Sequence, residues 1–127
     1  MANENGVEEL EGFSAYWEES SNHTVLRIEG DLDLSASGAL RAFLVDEVGL
    51  FGPTIVIDLA AVPFVDSTCL GVLIAAARRA RQSGRRLVLA RAQHRVKRTF
   101  EIAGLSEVLP LFPTIDAATG DAGDGNL

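Results

Sequence analysis

The sequence predicts an α/β fold: one mixed central β-sheet with helices packed on it, in the order β-β-α-β-α-β-α, with room for a short last strand. Three observations carry this. Short apolar, β-favouring runs alternate with segments whose apolar residues recur at helical spacing. Strand and helix in alternation favour a parallel or mixed sheet with covered faces. The chain has 127 residues, 47% of them hydrophobic, which suits one domain with a packed core.

The elements follow in order. Residues 1–11 lack periodicity and are expected to be disordered, so the globular part is placed at 12–115. "FSAYWE" from Phe13 pairs with "HTVLRIEG" from His23, and the polar "ESSN" between them reads as a hairpin loop. Val25, Leu26 and Ile28 supply β-favouring bulk. "GDLDLSAS" closes that strand, and Ser35 or Ser37 is placed to cap a helix. Leu40, Phe43, Leu44 and Val48 lie on one face of that helix, which "GLFGP" stops.

"TIVIDLAAV", residues 54–62, is nearly all apolar, as a strand covered on both faces would be. The longest helix runs from Ser67 to Ser83, with Leu70, Leu73, Ile74 and Ala77 as its buried stripe and Gly84 at its end. "RRLVLARA" is another strand. "HRVKRTFEIAGL" is a short helix stopped by Gly104. "EVLPLF" is a last short strand or turn, and Pro110 places it at an edge. The small, acidic, Gly-rich residues 116–127 are expected to be disordered.

Charge bounds the function. A net charge of −7 argues against non-specific nucleic-acid binding. No long uncharged apolar run could span a membrane, and the acidic start does not read as a secretory signal. The single cysteine, Cys69, allows no internal disulfide. These features together place the chain in the cytoplasm. The charge is also uneven. Residues 1–20 hold six Glu and no Lys or Arg, while residues 67–100 hold nine Lys or Arg and no acid. That basic stretch is either a solvated face or a docking surface for an acidic partner.

The junction "FVDSTCLGVL" stands out. An apolar strand ends at Val65; Asp66, Ser67 and Thr68 follow at once; then helical spacing begins. Capping needs one such residue, Asp66 or Ser67. The remaining hydroxyl admits three readings. It is a second cap former, or a phosphorylation site, or a nucleophile. A phosphate at Ser67 would add about −1.5 to −2 charge beside Asp66, and beside Asp33 if the strand ends converge. A nucleophile would need a base and an oxyanion hole, and neither His23 nor His94 sits in a recognisable motif. Asp31 and Asp33 read as turn and cap formers. Cys69 is either a small buried residue or a thiol activated by the helix N-terminus. Nothing else suggests a metal site, a cofactor or an enzyme.

In "IDLAAVPFVDSTCLGVL" the junction resembles the core signature of the STAS domain, in particular of the bacterial anti-sigma factor antagonists. "GDLDLSASGAL", "GRRLVLARA" and "RVKRTFEIAGLSEVLPLF" agree with that family in order and spacing, so the resemblance covers about residues 12–115. It implies a STAS-like sheet and a regulatory cycle. Ser67 falls on the family's phosphoacceptor, with Thr68 as the second hydroxyl and Asp33 in the loop near the phosphosite. Asp66, Cys69 and Gly71 complete the implied partner-binding neighbourhood. The implied partner is an anti-sigma factor that is itself a serine kinase and binds the ATP; a phosphatase resets the cycle. A weak homodimer is compatible with this reading. The family usually has Gly where this chain has Cys69, which bears on kinase recognition. The alternative is a STAS scaffold or accessory subunit of a stress-signalling complex or lipid-transport ATPase.

Overall fold

The structure is a computed structural model that describes residues 4–20, 22–46 and 51–124. Six strands form one sheet in sequence order: β1 (Glu4–Leu10), β2 (Phe13–Glu19), β3 (His23–Glu29), β4 (Thr54–Ala61), β5 (Arg86–Ala90) and β6 (Leu111–Phe112). β1, β2 and β3 pair antiparallel, and β3 through β6 pair parallel. The helices are α1 (Ser37–Arg41), α2 (Ser67–Gln82), α3 (His94–Ile102) and α4 (Ile115–Asp124). A 3-10 turn, Leu34–Ala36, leads into α1, and a π-helical turn, Ala42–Asp46, continues it.

The apolar pattern explains the layers. Alternate residues Ile55, Ile57 and Leu59 of β4 join Leu26, Ile28, Leu87 and Leu89 in the main core. That core also takes Leu40, Phe43 and Leu44 from the α1 region and Leu70, Leu73, Ala76 and Ala77 from α2. Trp17, Phe43 and Phe51 meet there, with ring centroids 5.6–6.2 Å apart. Val56, Val88 and Ala90 point to the other face, where Ala118 of α4 covers them. β4 is nearly all apolar because both of its faces are covered. The one acid on it, Asp58, is buried, and its Oδ1 accepts from Ala60 N at 3.0 Å and Arg91 Nε at 3.1 Å.

Two expectations about the chain ends are corrected. The first eleven residues are not simply frayed: Glu4–Leu10 form β1, a full edge partner of β2. An edge strand draws on backbone hydrogen bonds and needs little burial, so Val7 stays 63% exposed and the apolar signal is weak. The tail also differs, because Ile115–Asp124 form α4. Its small residues read as disorder by composition, but they let the helix sit close on the sheet, with Ala118 fully buried. Thr114 Oγ1 accepts from Ala117 N at 2.9 Å at its start. Neither Ser35 nor Ser37 caps a helix: α1 has Ala36 at its N-cap with no side-chain cap, and Asp33 caps the preceding 3-10 turn, accepting from Ser35 N at 3.1 Å. Val48 lies outside the described residues.

Candidate functional site

The site is built where two crossover loops are stitched together. After β3 and β4 the chains continue side by side as a short parallel bridge between Leu32 and Val65. Leu32 N donates to Phe64 O, and Asp66 N donates to Leu32 O, each at 2.9 Å. Gly30 N donates to Ala61 O at 3.1 Å. Gly30 has φ +128, and a Cβ there would lie 2.8 Å from Gly12 O, so only glycine fits this crossing. The result places Asp33 next to the start of α2, at the carboxyl ends of the parallel strands. In open α/β sheets ligand and partner sites collect at such ends.

Each carboxylate then has a defined local task. Asp66 is the N-cap of α2, and its Oδ1 accepts from Cys69 N at 2.9 Å. Asp33 caps the 3-10 turn, and its Oδ1 also accepts from Ser35 Oγ at 2.7 Å. With Asp66 as the cap, Ser67 is not needed for capping. Ser67 and Thr68 are exposed in the first turn of α2, and among the described residues no side chain hydrogen-bonds to Ser67. Gly71 is exposed one turn on, and nothing lies within 4 Å of where its Cβ would be.

Cys69 is placed differently from the expectation of a partner-facing side chain. It is fully buried, and its Sγ donates to Asp33 O at 3.2 Å, tying α2 to the other loop. Its pKa is pushed up from 9.0 to about 11, chiefly by burial, with Asp66 and Asp33 adding to the effect. Of the two readings, the small buried residue holds, and the thiol activated by the helix N-terminus does not, because burial and two nearby carboxylates keep the proton on the sulfur. The sulfur fills core space beneath the start of α2 and leaves the exposed surface around Ser67 unobstructed.

The structure adds two residues that the sequence reading missed. Leu34 is 66% exposed and Phe64 is 42% exposed, and they sit on the two stitched loops. Exposed large apolar side chains beside a polar site point to a binding surface. Their sequence signal is faint: each is a single apolar residue close to core residues in sequence (Leu32 and Ala36, Val62 and Val65), which local pattern cannot distinguish from core. His23 begins β3 at the opposite end of the sheet, with Nε2 3.3 Å from Ser20 Oγ. Among the described residues no group of His, Cys, Asp or Glu is arranged to hold a metal ion, and no helix is long and apolar enough to cross a membrane.

Comparison with known proteins agrees with this architecture. The family model for the STAS domain matches residues 16–118. An anti-sigma-F factor antagonist, RsfB, of Mycobacterium tuberculosis is 39% identical over 101 residues, covering 78% of this chain and 81% of that protein. An anti-sigma-B factor antagonist of Listeria monocytogenes is 34% identical over 98 residues, covering 74% of this chain and 82% of that protein. The crystal structure of an anti-sigma factor antagonist from Mycobacterium paratuberculosis superposes with a TM-score of 0.72 at 26% identity, covering 97% of this chain and 96% of that one. The mixed sheet, the stitched loops with the DST turn between them and the match over nearly the whole folded region lead to one conclusion: the chain belongs to the STAS domain family.

Proposed function

We propose that this protein is an anti-sigma factor antagonist, a regulatory binding protein and not an enzyme. It binds an anti-sigma factor with serine kinase activity and is released when that partner phosphorylates Ser67. The observation that carries this reading is an exposed serine hydroxyl on the first turn of α2, left over once Asp66 has capped the helix. The names of the curated relatives support the same class.

The docking surface in this reading is the pair of stitched loops. Leu34 and Phe64 provide apolar contact, and Asp33, Asp66, Thr68 and Gly71 surround the acceptor. A phosphate on Ser67 adds about two negative charges to a surface that already carries two carboxylates. The helix N-terminus tolerates that charge when it is solvated. Buried against a partner, the same charge carries a desolvation cost and repels Asp66 and Asp33. The switch is therefore local, and the sheet need not rearrange. ATP belongs to the partner, and a phosphatase restores the hydroxyl.

Phosphorylation by candidate anti-sigma kinases with ATP, mapped by mass spectrometry, tests the reading. Label is expected on Ser67. Ser67→Asp is expected to weaken partner binding at least about ten-fold, which is ~1.4 kcal/mol, with Ser67→Ala near the parent value. Equal affinities for the two variants, or label elsewhere only, would end the proposal. The basic stretch at residues 67–100 is compatible with the alternative of a scaffold or accessory subunit, while the buried Cys69 lends that alternative nothing.

A further inference from the structure

Half of one sheet face has no cover. Val56, Val88 and Ala90 lie beneath α4 on that face. The register carries the same face across to the edge: Asp58 pairs with Arg27, Arg27 with Tyr16, and Tyr16 with Val7. Side chains alternate along a strand, so Glu9 joins Val7 there, Glu18 joins Tyr16, and Val25 joins Arg27. A groove of about 440 Å³ lies on this half, lined by Val7, Tyr16 and Val25 together with Glu18 and Arg27. Arg27 is paired with Glu29. Glu9 accepts from Ser14 Oγ, and among the described residues neither Glu9 nor Glu18 makes an ion pair.

The opposite charge sits at the other edge of the sheet. α3 lies beside β6, and Phe100 and Leu111 line one pocket there. α3 buries Val96 and Phe100 in the main core, on the layer opposite α4. Its outward stripe is Arg95, Arg98 and Ile102, at i, i+3 and i+7. Arg95 and Arg98 are exposed, and among the described residues neither makes an ion pair. Ile102 is 78% exposed. Away from the Ser67 site, Val7 and Ile102 are the exposed large apolar side chains of the described residues, one among acids and one among cations.

We infer that the α3 stripe of one copy docks on the uncovered sheet face of a second copy. Ile102 enters the groove beside Val7, and Arg98 and Arg95 pair with Glu9 and Glu18. The spacings agree. Arg98 and Ile102 are one turn apart, about 6 Å along a helix. Glu9 and Val7 are two residues apart on one face of a strand, about 6.8 Å. Charge selects the occupant: residues 1–20 hold six Glu and no Lys or Arg, so this face repels an acidic surface and attracts the cations of α3. An apolar sheet face is stable when another element covers it, and α4 is already committed to β4 and β5. The two patches lie at opposite edges and in opposite layers of one molecule, so one copy cannot offer both to the same partner. The assembly is therefore head-to-tail and open-ended. Each contact is small and rimmed by charge, so the association is weak, reversible and salt-sensitive. Ser67 belongs to neither patch, and the inference stands whether or not it is a switch.

The test is sedimentation equilibrium of the full chain at concentrations up to about 1 mM. In ~0.1 M salt the mean mass should rise with concentration and pass that of a dimer. In ~1 M salt the screening length falls from about 10 Å to about 3 Å, and the mass should return toward that of a monomer. Two double variants sharpen the test. Arg95→Glu with Arg98→Glu makes both patches acidic, and Glu9→Lys with Glu18→Lys makes both patches basic. Each alone should associate at least about ten-fold more weakly than the parent. An equimolar mixture of the two should recover association to within about three-fold, a rescue that a folding defect would not give. Should a double variant not fold, Ile102→Ser, an exposed position, should weaken association at least about five-fold. A parent that stays monomeric, a mass that stops at the dimer, a mixture that fails to recover, or an Ile102→Ser variant equal to the parent would each overturn the inference.

Discussion

Replacing Cys69 by glycine should destabilise the domain by about 2 kcal/mol while leaving partner binding unchanged. The magnitude follows from the site. Cys69 is fully buried, and removing its side chain removes somewhat more than one methylene equivalent, worth ~1 kcal/mol with the small void left behind. The change also gives up the thiol's bond to Asp33 O, a weak one worth roughly 0.5 kcal/mol. Glycine adds about 0.4 kcal/mol of helix propensity cost over cysteine. For a chain of this size 2 kcal/mol lowers the melting temperature by about 7 °C. Urea unfolding reads it as a lower midpoint at unchanged slope. Cys69→Ala keeps the Cβ and should fall about halfway. Binding is measured well below the transition, where both variants are fully folded, and should stay within about two-fold of the parent because the side chain points inward. A loss under ~0.5 kcal/mol, or a larger effect on binding than on stability, would refute the placement of this sulfur as core.

The other predictions probe the remaining parts. Since the folded thiol keeps its proton to about pH 11 and the unfolded one loses it near 9.0, the native state binds more protons between those values. Its contribution to stability is therefore intact below pH 9 and lost as pH rises toward 11; a stability–pH slope in that window should vanish in Cys69→Ala, and a slope that persists would assign it elsewhere. Gly6→Ala should detach or distort β1, because a Cβ there would lie 2.2 Å from the Trp17 ring; hydrogen exchange of Val7–Leu10 amides should speed up, and unchanged protection would show that β1 is not paired as described. Asp33→Ala removes the cap of the 3-10 turn and should cost about 1 kcal/mol in chemical denaturation; no change would mean the cap is not formed. Ala118→Asp places a carboxylate among Val56, Val88 and Ala90 and should destabilise by ~2 kcal/mol or more, whereas a neutral outcome would mean that α4 does not cover that face.

The candidate site was legible where chemistry is local. An apolar run followed by Asp66-Ser67-Thr68 and a helical pattern already located the cap and the spare hydroxyl, since both depend on residues adjacent in sequence. Local reasoning failed where a property depends on what lies across space. Cys69 stands in a helical first turn next to polar residues, and nothing in that context says that its sulfur faces a loop thirty-six residues away. Leu34 and Phe64 look like core residues in the sequence, and only the placement of the two loops leaves them in water.

The chain ends divide in the same way. Alternating apolar runs and helical spacing determined the mixed sheet with its helices, because burying one face or both imposes a period on the residues themselves. The edge strand β1 and the small-residue helix α4 left no such period. One is held by backbone hydrogen bonds that any residue can make, and the other by close approach that small residues permit. What the sequence by itself determined is therefore the alternation of elements, the DST junction and the separation of charge along the chain. What only the tertiary structure decided is which side chains those elements bring together: Asp33 beside the α2 N-terminus, the thiol beneath it, and Val7, Tyr16 and Val25 around one groove. Contacts between distant residues are set by the register and packing of whole elements, and no short stretch of sequence encodes them.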